Sequence, residues 1–207
     1  MADDLAGLGS YNIFPLDPDW AQNPKSSFDM VRVVQQYQGT AQSLSSRTDY
    51  VPIKFEAGFS IWDRDDEYDL IDFFDTVKAR VGAFWLKMPK WAFTTDSKIT
   101  AGATSFPCYE NDASKQYQGF ERVYMILNNG DVISRAITTA VNNGAGRVNL
   151  NFDGPLSVDI ETTDYYRTGR LLLVRFDNDE LKVECETDGV FKFNLKFQEL
   201  PVECAAI

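Results

Sequence analysis

The stretch VPIKFEAGFSIWDRDDEYDLIDFFDTVKARVG, residues 51–82, decides the fold because the hydrophobic period changes within it. From Val51 to Trp62, apolar residues alternate with polar or small ones. In a β-strand this alternation places the apolar residues on one face and the polar or small residues on the other. From Asp63 onward, apolar residues recur at steps of three and four, which is the period of an amphipathic helix. The stretch therefore predicts a half-buried strand that leads directly into a helix.

The predicted helix spans about residues 65–81. The acidic residues from Asp63 to Glu67 suit its N-terminus, because carboxylates there accept hydrogen bonds from free backbone amides and complement the helix macrodipole. Gly82 predicts the end of the helix, and residues 83–89 predict an aromatic strand after it. The apolar stripe of this helix consists of Leu70, Phe73, Phe74, Val77 and Val81.

The rest of the chain has the pattern of short strands separated by turn residues. Strands are predicted at residues 30–37, 103–109, 122–127, 131–141, 147–152, 170–176, 180–186 and 190–199. Gly130 and Gly144, each preceded by two asparagines, supply the positive φ that tight hairpin turns need. Roughly ten strands and one helix predict a mainly β fold with a β-sandwich or barrel-like core.

The strands suggest three parts along the chain. Residues 1–97 are predicted to hold an N-terminal arm and the first part of the β-sandwich with its helix. Residues 98–152 are predicted to form an inserted β subdomain, and residues 153–207 to complete the core. Aromatic residues lie between glycines and prolines in the first ~25 residues, so we expect an extended arm anchored by aromatic side chains.

Charge and hydropathy exclude some classes of partner. The formal net charge of -11 repels phosphate backbones, so no nucleic-acid partner is expected. Anionic membrane surfaces are repelled for the same reason, and no apolar run approaches the ~20 residues of a membrane span. The first residues lack the basic and apolar regions of a signal peptide, so we expect synthesis in a cytoplasm and no membrane association.

Motifs for catalysis or metal binding are not apparent. The chain has no histidine, which excludes Ser-His, Cys-His and HExxH arrangements within it. Cys108, Cys185 and Cys204 stand too far apart for a zinc motif, and their odd number argues against a disulfide framework. Two acidic clusters, at residues 63–67 and 177–180, suit a helix cap and a solvated turn, with a hard cation as the alternative. We expect no catalytic residue, no cofactor and no metal.

Aromatic residues are the remaining candidates for an interaction site. Our candidate interface residues are Tyr11, Phe14, Trp20, Trp85 and Trp91. A carbohydrate platform is an alternative for the set Trp85, Trp91, Tyr117, Tyr165 and Tyr166, and core packing or subunit contact is the simpler interpretation. A hydrolase that uses two carboxylates is a third hypothesis, without a local motif to support it.

Several segments resemble the distal tail proteins of long-tailed bacteriophages and of gene transfer agents. The segments are FEAGF (residues 55–59), DEYDLIDFF (66–74), RVGAFWL (80–86), LVRFDNDEL (173–181) and the end of the last strand at residues 199–201. Residues 98–152 depart from that pattern as a set of extra strands.

The resemblance implies a structural protein of the virion, located at the tail tip. Such a protein forms a ring, commonly a hexamer, that joins the tail tube protein to the baseplate hub protein and to tail fibres. Assembly would take place in the bacterial host cytoplasm. The alternative from the residues themselves is a carbohydrate- or receptor-binding β-sandwich module of a phage tail.

Overall fold

The fold is taken from a computed structural model, which describes residues 11–17, 25–28, 32–36, 42–46, 53–88, 94–95, 97–109, 122–144, 146–187 and 190–200. These residues form twelve strands and one helix, so the prediction of a mainly β fold is confirmed. The strands are β1 (Lys25–Phe28), β2 (Arg32–Gln36), β3 (Gln42–Ser46), β4 (Ile53–Ile61), β5 (Phe84–Met88), β6 (Ser105–Tyr109), β7 (Arg122–Leu127), β8 (Val132–Gly144), β9 (Arg147–Phe152), β10 (Tyr165–Phe176), β11 (Val183–Thr187) and β12 (Val190–Glu199). The helix α1 (Arg64–Thr76) follows β4.

The chain divides into two compact units that alternate along the sequence. The helix unit comprises Phe14–Phe84 and Leu173–Ile207, and the insert unit comprises Met1–Ile13 and Trp85–Leu172. The insert unit extends on both sides beyond residues 98–152, the bounds predicted for the insertion. Strand pairing explains the difference, because Tyr165 to Leu171 of β10 pair with β7 and so belong with the insert unit.

The sheet of the helix unit is built around two long antiparallel strands. β12 pairs with β4 from Phe191 opposite Ile61 to Gln198 opposite Lys54. β1 continues the sheet beyond β4, while β11 and the last residues of β10 pair with the other side of β12. The alternation that predicted β4 is confirmed, since the side chains of Phe55, Ala57, Phe59 and Ile61 are buried. The described strands of this unit do not close into a barrel.

A cluster of phenylalanines forms the core of the helix unit, with Phe14 at its centre. The Phe14 ring lies 5.4 Å from the rings of Phe59 and Phe73 and 5.7 Å from those of Phe84 and Phe197, measured between centroids. Most of these pairs are edge-to-face, a geometry that adds about 0.5–1.5 kcal/mol per pair to area burial. Phe14 is a core anchor of its own chain, which corrects its assignment to an interface.

The helix α1 begins as predicted and ends earlier than predicted. The Asp63 carboxylate accepts a 3.1 Å hydrogen bond from the Asp65 backbone N–H, which makes Asp63 the N-cap. The last helical residue is Thr76, because Lys78 and Ala79 take left-handed φ values of 53° and 52°. The predicted end at residue 81 is wrong for that reason.

The apolar stripe predicted for α1 is correspondingly shorter. Leu70 and Val77 are buried, and the rings of Phe73 and Phe74 pack against other phenylalanines. Val81 lies beyond the helix and is 81% exposed, so its inclusion in the stripe is wrong. Its spacing from Val77 fits a helical period although the backbone has already left the helix.

The insert unit has the strand order β10, β7, β8, β9, β6, with β5 paired to β10. β8 pairs first with β7, through Val132 to Ala136, and then with β9, through Ile137 to Gly144. Its hydrophobic core consists of Ile99, Phe106, Cys108, Val123, Met125, Leu127, Ile133, Ile137, Val148, Leu150, Phe152, Leu156 and Ile160. The glycines of the predicted hairpin turns have positive φ, 91° at Gly130 and 75° at Gly144.

The strands β2 and β3 form a separate antiparallel pair, with Arg32 opposite Ser46 and Gln36 opposite Gln42. No helix in the described part of the chain is long and apolar enough to cross a membrane.

Candidate interaction surfaces

The first acidic cluster serves the start of α1. Asp63 caps the helix through its side chain, and its carbonyl oxygen accepts a 3.3 Å hydrogen bond from the Glu67 N–H. Asp65, Asp66 and Glu67 occupy the first turn, where negative charge is favoured by the macrodipole. Among the described residues, no group of three or more His, Cys, Asp or Glu side chains is placed to hold a metal ion.

The second acidic cluster lies in the link between β10 and β11. The Asp177 N–H donates a 2.8 Å hydrogen bond to the Lys196 carbonyl oxygen, and the Asp177 carboxylate lies 3.8 Å from the Lys54 ammonium. The Asn178 side-chain amide donates a 2.6 Å hydrogen bond to the Glu180 carbonyl oxygen. These bonds shape the link and hold it to the sheet.

The two described cysteines occupy different environments. Cys108 is buried in the core of the insert unit, where its Sγ donates a 3.4 Å hydrogen bond to the Val148 carbonyl oxygen. Burial raises the pKa of the Cys108 thiol to about 11, so the unreactive protonated form is favoured at neutral pH. Cys185 is exposed on β11, and Cys204 lies outside the described residues.

Trp85 is a core residue of the insert unit. Its side chain is 2% exposed, and the Arg122 guanidinium lies over its ring at 5.7 Å from the centroid. Its backbone N–H donates a 2.9 Å hydrogen bond to the Asn12 carbonyl oxygen. Burial therefore corrects the assignment of Trp85 to an interface or a carbohydrate platform, and core packing is its role.

The remaining predicted aromatics stay untested. Tyr11 is half-buried in the described segment at residues 11–17. Trp20, Trp91 and Tyr117 lie outside the described residues. For Tyr165 and Tyr166 only the backbone, in β10, is described.

A buried polar network in the insert unit was not anticipated from the sequence. Arg122 is 6% exposed, and its guanidinium lies 3.3 Å from the Asp153 carboxylate and 3.4 Å from the Ser134 hydroxyl. Desolvation lowers the pKa of Arg122, and the Asp153 charge opposes that effect. Arg135, also buried, donates hydrogen bonds of 2.7 and 3.2 Å to the Pro155 carbonyl oxygen. Such pairs are invisible in the sequence because the partners lie 12, 31 and 20 residues away along the chain.

Trp62 marks one exposed surface on the helix unit. It is 76% exposed at the end of β4 and borders a cavity of about 450 Å³. Leu16, Asp17 and Asp66 also line that cavity. The one signal in the sequence is that Trp62 follows Ile61 in the alternation and so takes the outward side of the strand.

A second exposed surface lies between α1 and β11, and we call it the α1–β11 groove. It has a volume of about 750 Å³ and is lined by Tyr68, Ile71, Asp72, Phe74, Asp75, Leu181 and Val183. Tyr68 is 60% exposed, Ile71 42% and Val183 40%, so apolar surface is open to solvent there. Tyr68 and Ile71 are three residues apart and off the buried stripe, which was the available sequence signal.

Comparison with protein-family models and with curated proteins finds no match for this chain. The fold and its surfaces define a mainly β protein of two units, with exposed apolar surface beside acidic side chains on the helix unit.

Proposed function

We propose that the chain is a structural subunit of a phage tail tip. Its copies form a ring that joins the tail tube to the baseplate hub and fibres, and the resemblance to distal tail proteins implies that the ring is a hexamer. In this proposal the subunit works by assembly and not by catalysis. Its partners are further copies of itself, the tail tube protein and the baseplate hub protein.

The observation that best supports this proposal concerns the segments that resemble distal tail proteins. Residues 55–59, 66–74 and 173–181 come from distant parts of the chain and all belong to the helix unit. Their side chains meet in one aromatic core, where Phe176 lies 4.8 Å from Phe74 and 4.7 Å from Phe84 between ring centroids. The segment at residues 80–86 contributes Phe84 to this core and runs on into the insert unit, so most of the resembling residues lie in the helix unit.

The exposed surfaces of the helix unit are compatible with assembly. Trp62 and the α1–β11 groove present apolar side chains to solvent, and such patches commonly mark sites of protein association, either with further copies or with the other tail proteins. A ring requires heterologous contacts, in which two different surfaces of neighbouring subunits meet. Stable contacts of this kind bury about 1,200–2,000 Å² in total.

Native mass spectrometry of the purified full chain over a range of concentrations tests the assembly. We expect one discrete oligomer, and co-expression with tail tube and hub proteins should give a complex that co-purifies. A chain that stays monomeric at every concentration and joins no tail protein contradicts the proposal.

The second candidate is a carbohydrate- or receptor-binding module, and the exposure of Trp62 favours it. An exposed indole ring suits stacking on a sugar ring, and Asp17 and Asp66 beside it suit hydrogen bonds to hydroxyl groups. A glycan array decides this with Trp62→Ala and with Val81→Ala as the control for an exposed apolar residue. Glycan binding lost only in Trp62→Ala supports the module, and an array without binding eliminates it.

A further inference from the structure

We propose that the α1–β11 groove docks a basic segment of another protein, one that carries apolar side chains flanked by lysine or arginine. This inference stands whether or not the chain forms a ring, because it concerns only one surface of the helix unit. Its evidence is the apolar floor of the groove, the charge of its rim and the position of one aspartate.

The floor of the groove is apolar and accessible. Tyr68 and Ile71 project from α1, Leu181 and Val183 come from the start of β11 and the link before it, and Phe74 lies between them as a half-buried ring. A volume of about 750 Å³ takes several side chains of a docking segment and is too small for a folded domain. Apolar contact with this floor supplies affinity that salt does not screen.

The rim of the groove is acidic. Asp72 and Asp75 line it, and α1 as a whole carries six acidic residues and one basic residue, Arg64. The whole chain has a net charge of -11, so a second copy brings the same sign of charge toward the same surface. Charge complementarity therefore favours a basic partner over another copy of this chain.

Asp75 stands where the helix itself disfavours it. The last turn of α1 contains no basic residue, and Asp75 places a negative charge near the negative end of the macrodipole. Local helix stability therefore does not account for an acid at this position. A positive group docked in the groove does account for it, since that group would face Asp75 across the rim.

A pair of synthetic peptides probes the groove directly in the full chain. One has leucines along one side of a helical pattern with lysines on its flanks, and the other has every lysine replaced by glutamate. Fluorescence anisotropy should show binding of the lysine peptide alone. Equal binding of both peptides, or of neither, overturns the proposal.

Matched variants assign that binding to the groove. We expect Asp75→Lys and Ile71→Ser each to raise the Kd of the lysine peptide by about tenfold, as for loss of one central interface contact. Glu184→Lys makes the same charge change on β11 at a residue that does not line the groove, and Val81→Ser removes an exposed apolar residue elsewhere. Both controls should bind within about twofold of the parent. Equal loss in the controls shows adventitious attraction to an acidic protein and overturns the proposal.

Thermal unfolding separates a docking role of Asp75 from a structural one. Asp75→Lys should raise the midpoint temperature of unfolding, because a positive charge stabilises the C-terminal end of a helix. The same variant should weaken binding of the lysine peptide. A lower midpoint means that Asp75 supports the fold and contradicts the inference.

Sedimentation velocity tests whether a second copy of the chain occupies the groove instead. Self-association that is lost in Ile71→Ser identifies a second copy as the occupant and overturns the proposal of a basic partner. If Ile71→Ser still forms rings but no longer binds the lysine peptide, the groove and the ring contacts are different surfaces. The two proposals can therefore fail independently.

Discussion

At the scale of single residues, Gly82 is required by a close approach of the backbone and not by its φ. A Cβ atom at this position would lie 2.3 Å from the Val77 carbonyl oxygen, which the Gly82 N–H also contacts at 2.8 Å. The loop that ends α1 closes through this contact. Any side chain must therefore displace the loop from the helix end.

We expect Gly82→Ala to lower the free energy of unfolding by about 1–3 kcal/mol, the usual cost of forcing extra atoms into a packed site. Urea unfolding measures the change. Gly154→Ala is the matched control, because a Cβ there meets nothing within 4 Å, and its effect should stay within about 0.5 kcal/mol. Equal stability of the two variants would contradict the assigned role of Gly82.

The Arg122–Asp153 pair is a second residue-scale case. Asp153→Asn leaves the buried guanidinium without its counter-charge, so we expect a loss of about 2–3 kcal/mol, as for a charged hydrogen bond. Thermal or urea unfolding checks this. The exposed pair Lys182–Glu180 is the comparison, and Glu180→Gln should cost close to zero because solvent screens it. An Asp153→Asn variant as stable as the parent would show that the Arg122–Asp153 pair contributes nothing to the free energy of unfolding.

Asp159 predicts a pH dependence. The Ala101 backbone N–H donates a 2.7 Å hydrogen bond to its carboxylate, and this bond, followed by Lys98, lowers the pKa of Asp159 below its ordinary value. A depressed folded pKa gives stability that is present above the unfolded pKa and is lost as the pH falls through the folded pKa. The parent should therefore exceed Asp159→Asn in stability at neutral pH, and the gap should narrow below about pH 4. A gap that is constant with pH, measured by urea unfolding, would contradict this.

At the scale of elements, Phe14 anchors the start of the helix unit in its core. Phe14 is wholly buried among the core phenylalanines, so Phe14→Ala should cost about 3–5 kcal/mol, as for large-to-small changes of a core aromatic. Chemical denaturation provides the number. Tyr11→Ala, at a half-buried position, should cost markedly less, and an equal cost would contradict the central role of Phe14.

Elements whose hydrophobic period is local were predictable from the sequence. β4 and the start of α1 follow from alternation and from the acids at the N-terminus, and β7, β9 and β12 have the predicted bounds. The end of α1 was not predictable, because left-handed φ at Lys78 and Ala79 has no sequence signature in non-glycine residues. The pairing that places Tyr165 to Leu171 in the insert unit is non-local, and periodicity carries no information on partners.

The candidate surfaces were the least predictable feature. Phe14 and Trp85 were candidate interface residues because they are aromatic, and they are core residues. Trp62, Tyr68 and Ile71 were not candidates, and they are exposed. Exposure depends on what covers a side chain, and the covering atoms come from distant segments. Sequence alone ranks aromatic residues by type and not by their surroundings.

At the scale of the whole molecule, two of the three boundaries between the units fall inside strands. Phe84 and Trp85 are neighbours in β5, and Leu172 and Leu173 are neighbours in β10, yet each pair is divided between the two units. Boundaries between independent domains usually fall in exposed linkers. Excision of Trp85–Leu172 would therefore cut two strands, and experiments on assembly should use the full chain.

Electron microscopy of the purified full chain tests the proposed ring most directly. The account predicts closed rings of a single symmetry, built from heterologous contacts between copies. Class averages that contain only single subunits, at concentrations where the protein is folded, would contradict it.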